Sequence, residues 1–395
     1  MAVKTRSKKR KRTPAAASVP YLPEEMVVEI LARLPVKSLL RFKCVCRGWR
    51  AIISEPSFIR AHLRCSVSRR QQEPSILISP HFSHDQPTKF STHISFYQWE
   101  QGGPSSLARF MDARDFPVGR EFSIVSYFTH CDGLVLAPTD TKLYLFNPAT
   151  REAITLPDGH GNNHAAGLGL DPSTGKYKVV RSFYRSSMDP PISMGMEVFD
   201  VGEPGARWRE TATDPPHPIT RWRTALTVDG GYLCWFMDRL RYPDAPRGLL
   251  RFSLQDEAFT VTRLPDSLDP AFDEVLPYVL HGELCVTHIT DDHTAVFIWT
   301  LSSMDDDAHL DYGPWELRYC ICVTALCHPM GVLPDGGILL WACRTVHRYD
   351  FSAGLTPVCN LDRLRYQGGR PARWKNVFDF TLMSYTESLV SITAA

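Results

Sequence analysis

The chain has 395 residues, 44% of them hydrophobic and 22% charged, with a formal net charge of +1. That length permits two domains, and the charge excludes a nucleic-acid-binding body: seven basic groups crowd into residues 4–12, leaving 37 basic against 43 acidic groups elsewhere. No apolar run approaches the ~18 residues of a membrane span, and eleven cysteines, an odd number scattered along the chain, point to reduced thiols in an intracellular compartment.

Residues 1–19 form a basic tail. Lys8-Lys9-Arg10-Lys11-Arg12 repels itself and is expected to be disordered. Such a run reads as a nuclear import signal or a plain solvated tail, with a loose nucleic-acid contact ranked behind both, so the expected location is nucleus, cytoplasm or both. Thr13-Pro14-Ala15-Ala16-Ala17-Ser18 is too short and too weakly apolar for a signal peptide.

Residues 20–63 read as three to four helices. Pro23 suits the first position of a helix, with Glu24 and Glu25 at the positive end of its dipole. Val27, Ile30, Leu31 and Leu34 recur at helical spacing on one face. Pro35 forces a turn. Leu39, Leu40, Phe42 and Val45 follow, then a stripe of Trp49, Ile52 and Ile53, and Pro56 opens a helix carrying Phe58 and Ile59. A unit this small rarely holds together alone without disulfides or metal ligands, and its sequence offers neither. The apolar surplus points to a partner protein.

Leu22-Pro23, Glu29-Ile30-Leu31, Arg33-Leu34-Pro35, Ser38-Leu39-Leu40, Val45-Cys46 and Trp49-Arg50 stand in an order and register that closely resembles the F-box, especially its plant form. The resemblance implies a module that docks on the Skp adaptor and, through it, on a cullin. The implied docking or module-core residues are Leu22, Pro23, Ile30, Leu31, Leu34, Pro35, Leu39, Val45, Cys46 and Trp49.

Residues 64–75 read as a linker, and residues 76–395 as a large β domain. Short alternating strands, separated by Gly, Pro, Asp and Asn, carry an aromatic at Phe96, Phe146, Phe199, Phe252, Trp299 and Tyr349, in steps of 50, 53, 53, 47 and 50 residues. Gly-plus-apolar strands such as Gly133-Leu134-Val135-Leu136 precede most of them, and units close on Leu156-Pro157, Trp208, Leu264-Pro265 or Trp315. A period near 50 built from short strands predicts a kelch-class propeller of about six blades. The alternative, a β-sandwich, gives no such step. Val377-Phe378-Asp379-Phe380 and Ser388–Ile392 are expected to complete the first blade, begun near Ile76, and so to remove open sheet edges.

This region also resembles the F-box-associated domain of plant F-box proteins, on Cys131-Asp132-Gly133-Leu134, Phe146-Asn147-Pro148-Ala149-Thr150, Gly167-Leu168-Gly169-Leu170-Asp171-Pro172 and Gly175-Lys176-Tyr177-Lys178-Val179-Val180. Beyond residue 200 the match is diffuse. Asp171-Pro172-Ser173-Thr174-Gly175 reads as a turn between two strands.

The residues offer no persuasive catalytic, metal or cofactor site. Gly169 through Lys176 has the wrong spacing for a phosphate loop and leads into a strand. Cys320 and Cys322 fit alternate positions on one strand face, and with Cys327-His328 they lack a second ligand pair for zinc; buried thiols are expected. The expected function is a non-catalytic substrate receptor of an SCF-type ubiquitin ligase, with a target protein held by the β domain and neither nucleic acid nor membrane as partner. The alternatives are a nuclear scaffold that degrades nothing, and a propeller enzyme with an incidental helical cap. Loops at 158–164, 184–193, 238–247 and 302–313 are candidate target contacts.

Overall fold

The computed structural model describes residues 23–82, 93–101, 107–115, 128–139, 142–160, 165–186, 193–220, 223–228, 231–271, 273–280, 282–301, 315–323, 325–368 and 377–393. The basic run Lys8–Arg12 and the docking candidate Leu22 lie outside them.

Four helices come first: α1 (Glu24–Ala32), α2 (Val36–Phe42), α3 (Arg47–Ser54) and α4 (Pro56–Gln72). Prolines set the boundaries. Pro23 and Pro35 are the extended N-cap residues of α1 and α2, so Pro23 stands one place before the helical position expected of it. Pro56 opens α4, where its missing N–H is harmless. That helix runs through most of residues 64–75, in place of a linker. Arg69 and Arg70 in its last turn favour its negative end.

The remainder is a ring of six sheets, each paired only within itself. From the centre outward, the first blade is β25 (Val377–Ser384), β1 (Ser75–Phe82), β2 (His93–Glu100) and β3 (Leu107–Asp115), with β24 (Arg365–Gln367) added in parallel outside β3. The second is β4 (Thr129–Cys131), β5 (Leu134–Pro138), β6 (Leu143–Asn147) and β7 (Glu152–Thr155). The third is β8 (Ala165–Leu170), β9 (Tyr177–Ser186), β10 (Ser193–Asp200) and β11 (Arg209–Glu210). The fourth is β12 (Leu226–Val228), β13 (Tyr232–Phe236), β14 (Gly248–Ser253) and β15 (Phe259–Arg263). The fifth is β16 (Glu274–Leu280), β17 (Glu283–Ile289), β18 (Ala295–Leu301) and β19 (Trp315–Cys322). The sixth is β20 (Cys327–Val332), β21 (Ile338–Ala342), β22 (Thr345–Asp350) and β23 (Gly354–Asn360). This is a six-bladed propeller.

The repeating aromatics occupy one equivalent place. Phe96, Phe146, Phe199, Phe252, Trp299 and Tyr349 all lie on the third strand from the centre. The Leu-Pro and Trp signals answer one another across blades. Trp208 donates its indole N–H to the Pro157 carbonyl at 2.8 Å, joining blades three and two. Trp315 does the same to the Arg263 carbonyl at 2.7 Å, joining blades five and four.

Closure differs in one respect from expectation. Strand β25 pairs with β1 over Ile76–Phe82, as the ring requires. Ser388–Ile392 forms no strand; it leaves the first blade and runs against the second. Cys320 and Cys322 do share a strand face, but β19 is the outer edge of its blade, so both thiols are exposed. Cys327, on an inner strand, is buried, and burial pushes its thiol up to about 11.

Candidate protein-docking surface

The helical module divides its apolar residues between a core and an outer face. Leu31, Ala32, Val36, Leu39, Ile53 and Phe58 form the core. Met26 (50% exposed), Ile30 (49%) and Val45 (61%) point to water, and Pro23, Pro35 and Cys46 are exposed as well. Leu34 and Trp49 are half-buried, the Trp49 ring 5.2 Å from that of Phe42. The stripe read from α1 is therefore split, with Leu31 inward and Ile30 outward. Of the expected docking set, Leu31 and Leu39 are core, whereas Pro23, Ile30, Pro35, Val45 and Cys46 are free to meet a partner.

Helix α4 locks the other end of α1. His62 Nε2 lies 3.0 Å from the Leu34 carbonyl, and Arg69 donates to the Arg33 carbonyl. Burial lowers the pKa of His62, so the neutral imidazole is the folded form.

The C-terminal segment Tyr385–Ile392 joins this module to the ring. The Tyr385 N–H reaches the Ser75 carbonyl at 2.9 Å. Glu387 accepts the Val36 N–H at 3.3 Å, lies 3.8 Å from Arg69, and has its pKa raised by burial. Leu389 belongs to the core of the helical module, while Val390 and Ile392 pack between blades two and three. Asn147 donates to the carbonyls of Ser388 (3.2 Å) and Val390 (2.7 Å), and its own oxygen accepts the Ala149 and Thr150 N–H groups. Ser388 Oγ donates to the Asp132 carbonyl. Gly133 is obligatory here: its φ is +86°, and a Cβ would fall 2.5 Å from Ser388 Oγ.

With this geometry in place, the chain can be compared with known proteins. Residues 20–61 match the family described as F-box domain, and residues 82–310 match F-box associated beta propeller domain. The chain belongs to the F-box-associated β-propeller family. Two Arabidopsis thaliana proteins named as F-box proteins are similar over most of this F-box chain. At3g10240 is 25% identical over 320 residues, covering 78% of this chain and 75% of its own. At5g62660 is 26% identical over 340 residues, covering 81% and 82%. The solved β-propeller domain of the Trilobed protease from Pyrococcus furiosus aligns with a TM-score of 0.39 and 10% identity over 73% of this chain and 81% of its own; the blade count rests on the strand pairing instead.

The motifs of the F-box-associated domain now have physical roles. Asp132 accepts the Tyr177 hydroxyl at 3.0 Å, linking blades two and three. Asp171 caps its turn by accepting the Ser173 N–H at 2.9 Å and pairs with buried Lys178 at 2.8 Å. Lys178 in turn donates to the Leu254 carbonyl of blade four at 2.8 Å. These residues hold the ring and its clasp together.

The F-box side of the ring is the side of the β4–β5 and β6–β7 turns, since Gly133 and Ala149 meet the clasp or the F-box core there. Antiparallel strands alternate, so the β9–β10, β13–β14 and β7–β8 connections open on the far face. The described parts of candidate loops 184–193, 238–247 and 158–164 thus share that face, whereas 302–313 lies outside the described residues. The far-face loop at 238–247 is well tied: Arg239 grips Asp269 at 3.0 and 3.1 Å, and Arg241 Nη1 bonds Asp238 at 3.0 Å. Sequence reasoning missed the clasp, because Glu387 and Leu389 meet partners about 350 residues away.

Proposed function

We propose that this protein is the substrate-recognition subunit of an SCF-type cullin ubiquitin ligase. The outer F-box face, with Pro23, Ile30, Pro35, Val45 and Cys46, binds the Skp adaptor, and the far propeller face holds a target protein. The observation that carries this reading is the clasp. It fixes the F-box on one side of the ring and leaves the far-face loops open on the other. Such a chain needs no bond chemistry of its own, because holding target and ubiquitin carrier together makes their encounter intramolecular. The basic run Lys8–Arg12 serves nuclear import in this reading; neutralising it shifts a fluorescent fusion toward the cytoplasm, and an unchanged distribution removes that role.

The test is adaptor capture by an Ile30→Asp/Val45→Asp variant. Both side chains are already exposed, so the chain stays folded, and loss of two interface anchors costs at least about 2–4 kcal/mol, a 30-fold or larger weakening. Full capture of the Skp adaptor by this variant overturns the proposal. Target half-life then separates a degradative receptor from a scaffold.

A further inference from the structure

The six innermost strands line a channel, and its two sides differ. On one side the wall is pinched: Thr129 Oγ lies 3.3 Å from Thr227 Oγ, bridging blades two and four past the small residues of β8. On the other side, β16, β20 and β25 bring polar groups together. The Tyr278 hydroxyl stands 2.6 Å from His328 Nδ1, and His81 Nε2 stands 2.6 Å from Thr381 Oγ. Asp379 is the register partner of His81 and acts electrostatically on both His81 and His328. The Trp341 ring lies 5.0 Å from that of His328.

This cluster sits at the far-face end. The clasp and α4 meet the first blade at Ser75 and Ser384, whereas His81 and Asp379 lie at the opposite strand ends, roughly 20 Å away at about 3.3 Å per residue. Asp379 is exposed; its Oδ1 accepts the adjacent Phe380 N–H at 2.8 Å, and among the described residues no cation lies within ion-pair distance of it. Burial lowers the pKa of both histidines against the opposing pull of Asp379, which leaves neutral imidazoles beside the Asp379 carboxylate.

We propose that this channel mouth is the seat for a basic side chain, lysine or arginine, projecting from the target protein, with Asp379 as its counter-ion. The proposal rests on the reading of the propeller as target receptor and names the chemistry of its anchor. An exposed carboxylate beside neutral polar groups attracts cations over anions. The neighbouring hydroxyl and imidazole groups make this rim polar, and the Trp341 ring lies beside it, an aromatic partner of the kind that attracts cations.

The test uses the full-length chain and two neutral-backbone probes, N-acetyl-arginine amide and its uncharged isostere N-acetyl-citrulline amide, with binding followed by NMR. Saturable binding of the arginine probe alone is expected, weakened about tenfold or more by Asp379→Asn, in keeping with the loss of a charge-assisted bond, and retained by Asp379→Glu. An unchanged melting midpoint in both variants shows that the loss is local. Equal binding of the citrulline probe, or an Asp379→Asn chain that binds arginine like wild type, overturns the proposal. Photocrosslinking in cells from far-face positions separates the two levels. Partners captured equally by wild type and Asp379→Asn overturn the basic anchor and leave target reception standing, whereas no far-face partner from either chain removes the receptor reading and the anchor with it.

Discussion

Blades two and three add several polar clamps to their shared apolar core; blades five and six rest mainly on apolar side chains, with the Tyr278–His328 contact as a polar link between them. On one side, Asn147 ties the clasp, Asp132 takes the Tyr177 hydroxyl, Asp171 pairs with Lys178, and Arg181 bonds Glu197 through Nε at 2.6 Å with both side chains buried. On the other, Leu280, Ile289, Val296, Ile298, Ile321, Ile338 and Leu340 make one continuous core. A buried polar group demands one partner in one geometry, or it costs about 1–3 kcal/mol and more if charged. An apolar seam demands only volume and pattern.

The largest test of the contrast is removal of residues 386–395. Burial of Leu389, Val390 and Ile392 contributes about 1.5–3 kcal/mol each, so the truncated chain should lose on the order of 5 kcal/mol and release the F-box helices to protease. Chemical denaturation with limited proteolysis checks this. A fragment beginning near residue 70 should suffer similarly, because it uncovers Leu389 and cuts α4. Next comes Lys178→Met, which strands the buried Asp171 carboxylate and should cost about 3–5 kcal/mol in urea unfolding.

Acid should also act on the clamped half. His130 is half-buried, accepts the Gly133 N–H at 3.0 Å, and is lowered to about 3 by burial and then by Arg70. Its folded pKa lies below the unfolded value near 6.5, so the unfolded chain binds the extra proton. Stability is complete above pH 6.5 and falls below it, by up to about 1.4 kcal/mol per pH unit for this group. A His130→Gln variant, measured by melting between pH 7 and 5, should flatten that slope. Smallest of all should be Leu340→Met in the apolar half, at under about 1.5 kcal/mol. A larger loss there than for Lys178→Met would reverse the comparison.

The same contrast explains what the sequence could reveal. The repeating aromatics, the prolines before or at the helix starts, and the Asp171–Gly175 turn were legible because each follows from local geometry. The motif residues of blades two and three were legible as motifs, but their purpose was not, since Ser388 lies 241 residues from Asn147. The continuation of α4 was hidden because Arg64–Gln72 carries few apolar groups and takes its support from Arg33 and Glu387. The split of α1 could not be read either, because Ile30 and Leu31 belong to one helical stripe until the other helices pack against only part of it. His81, Tyr278, His328 and Asp379 share no motif, and ring closure alone makes them neighbours.

The clasp has a consequence for how a target would be handled. With Tyr385–Ile392 wedged between helices and ring, the molecule behaves as a jig rather than a tether. On the proposed function, a bound protein would be held at one angle and one distance from the F-box, so the lysines offered for modification would be chosen by the shape of the seated target. Lengthening a linker could not widen that choice, because the chain has none between its two working ends.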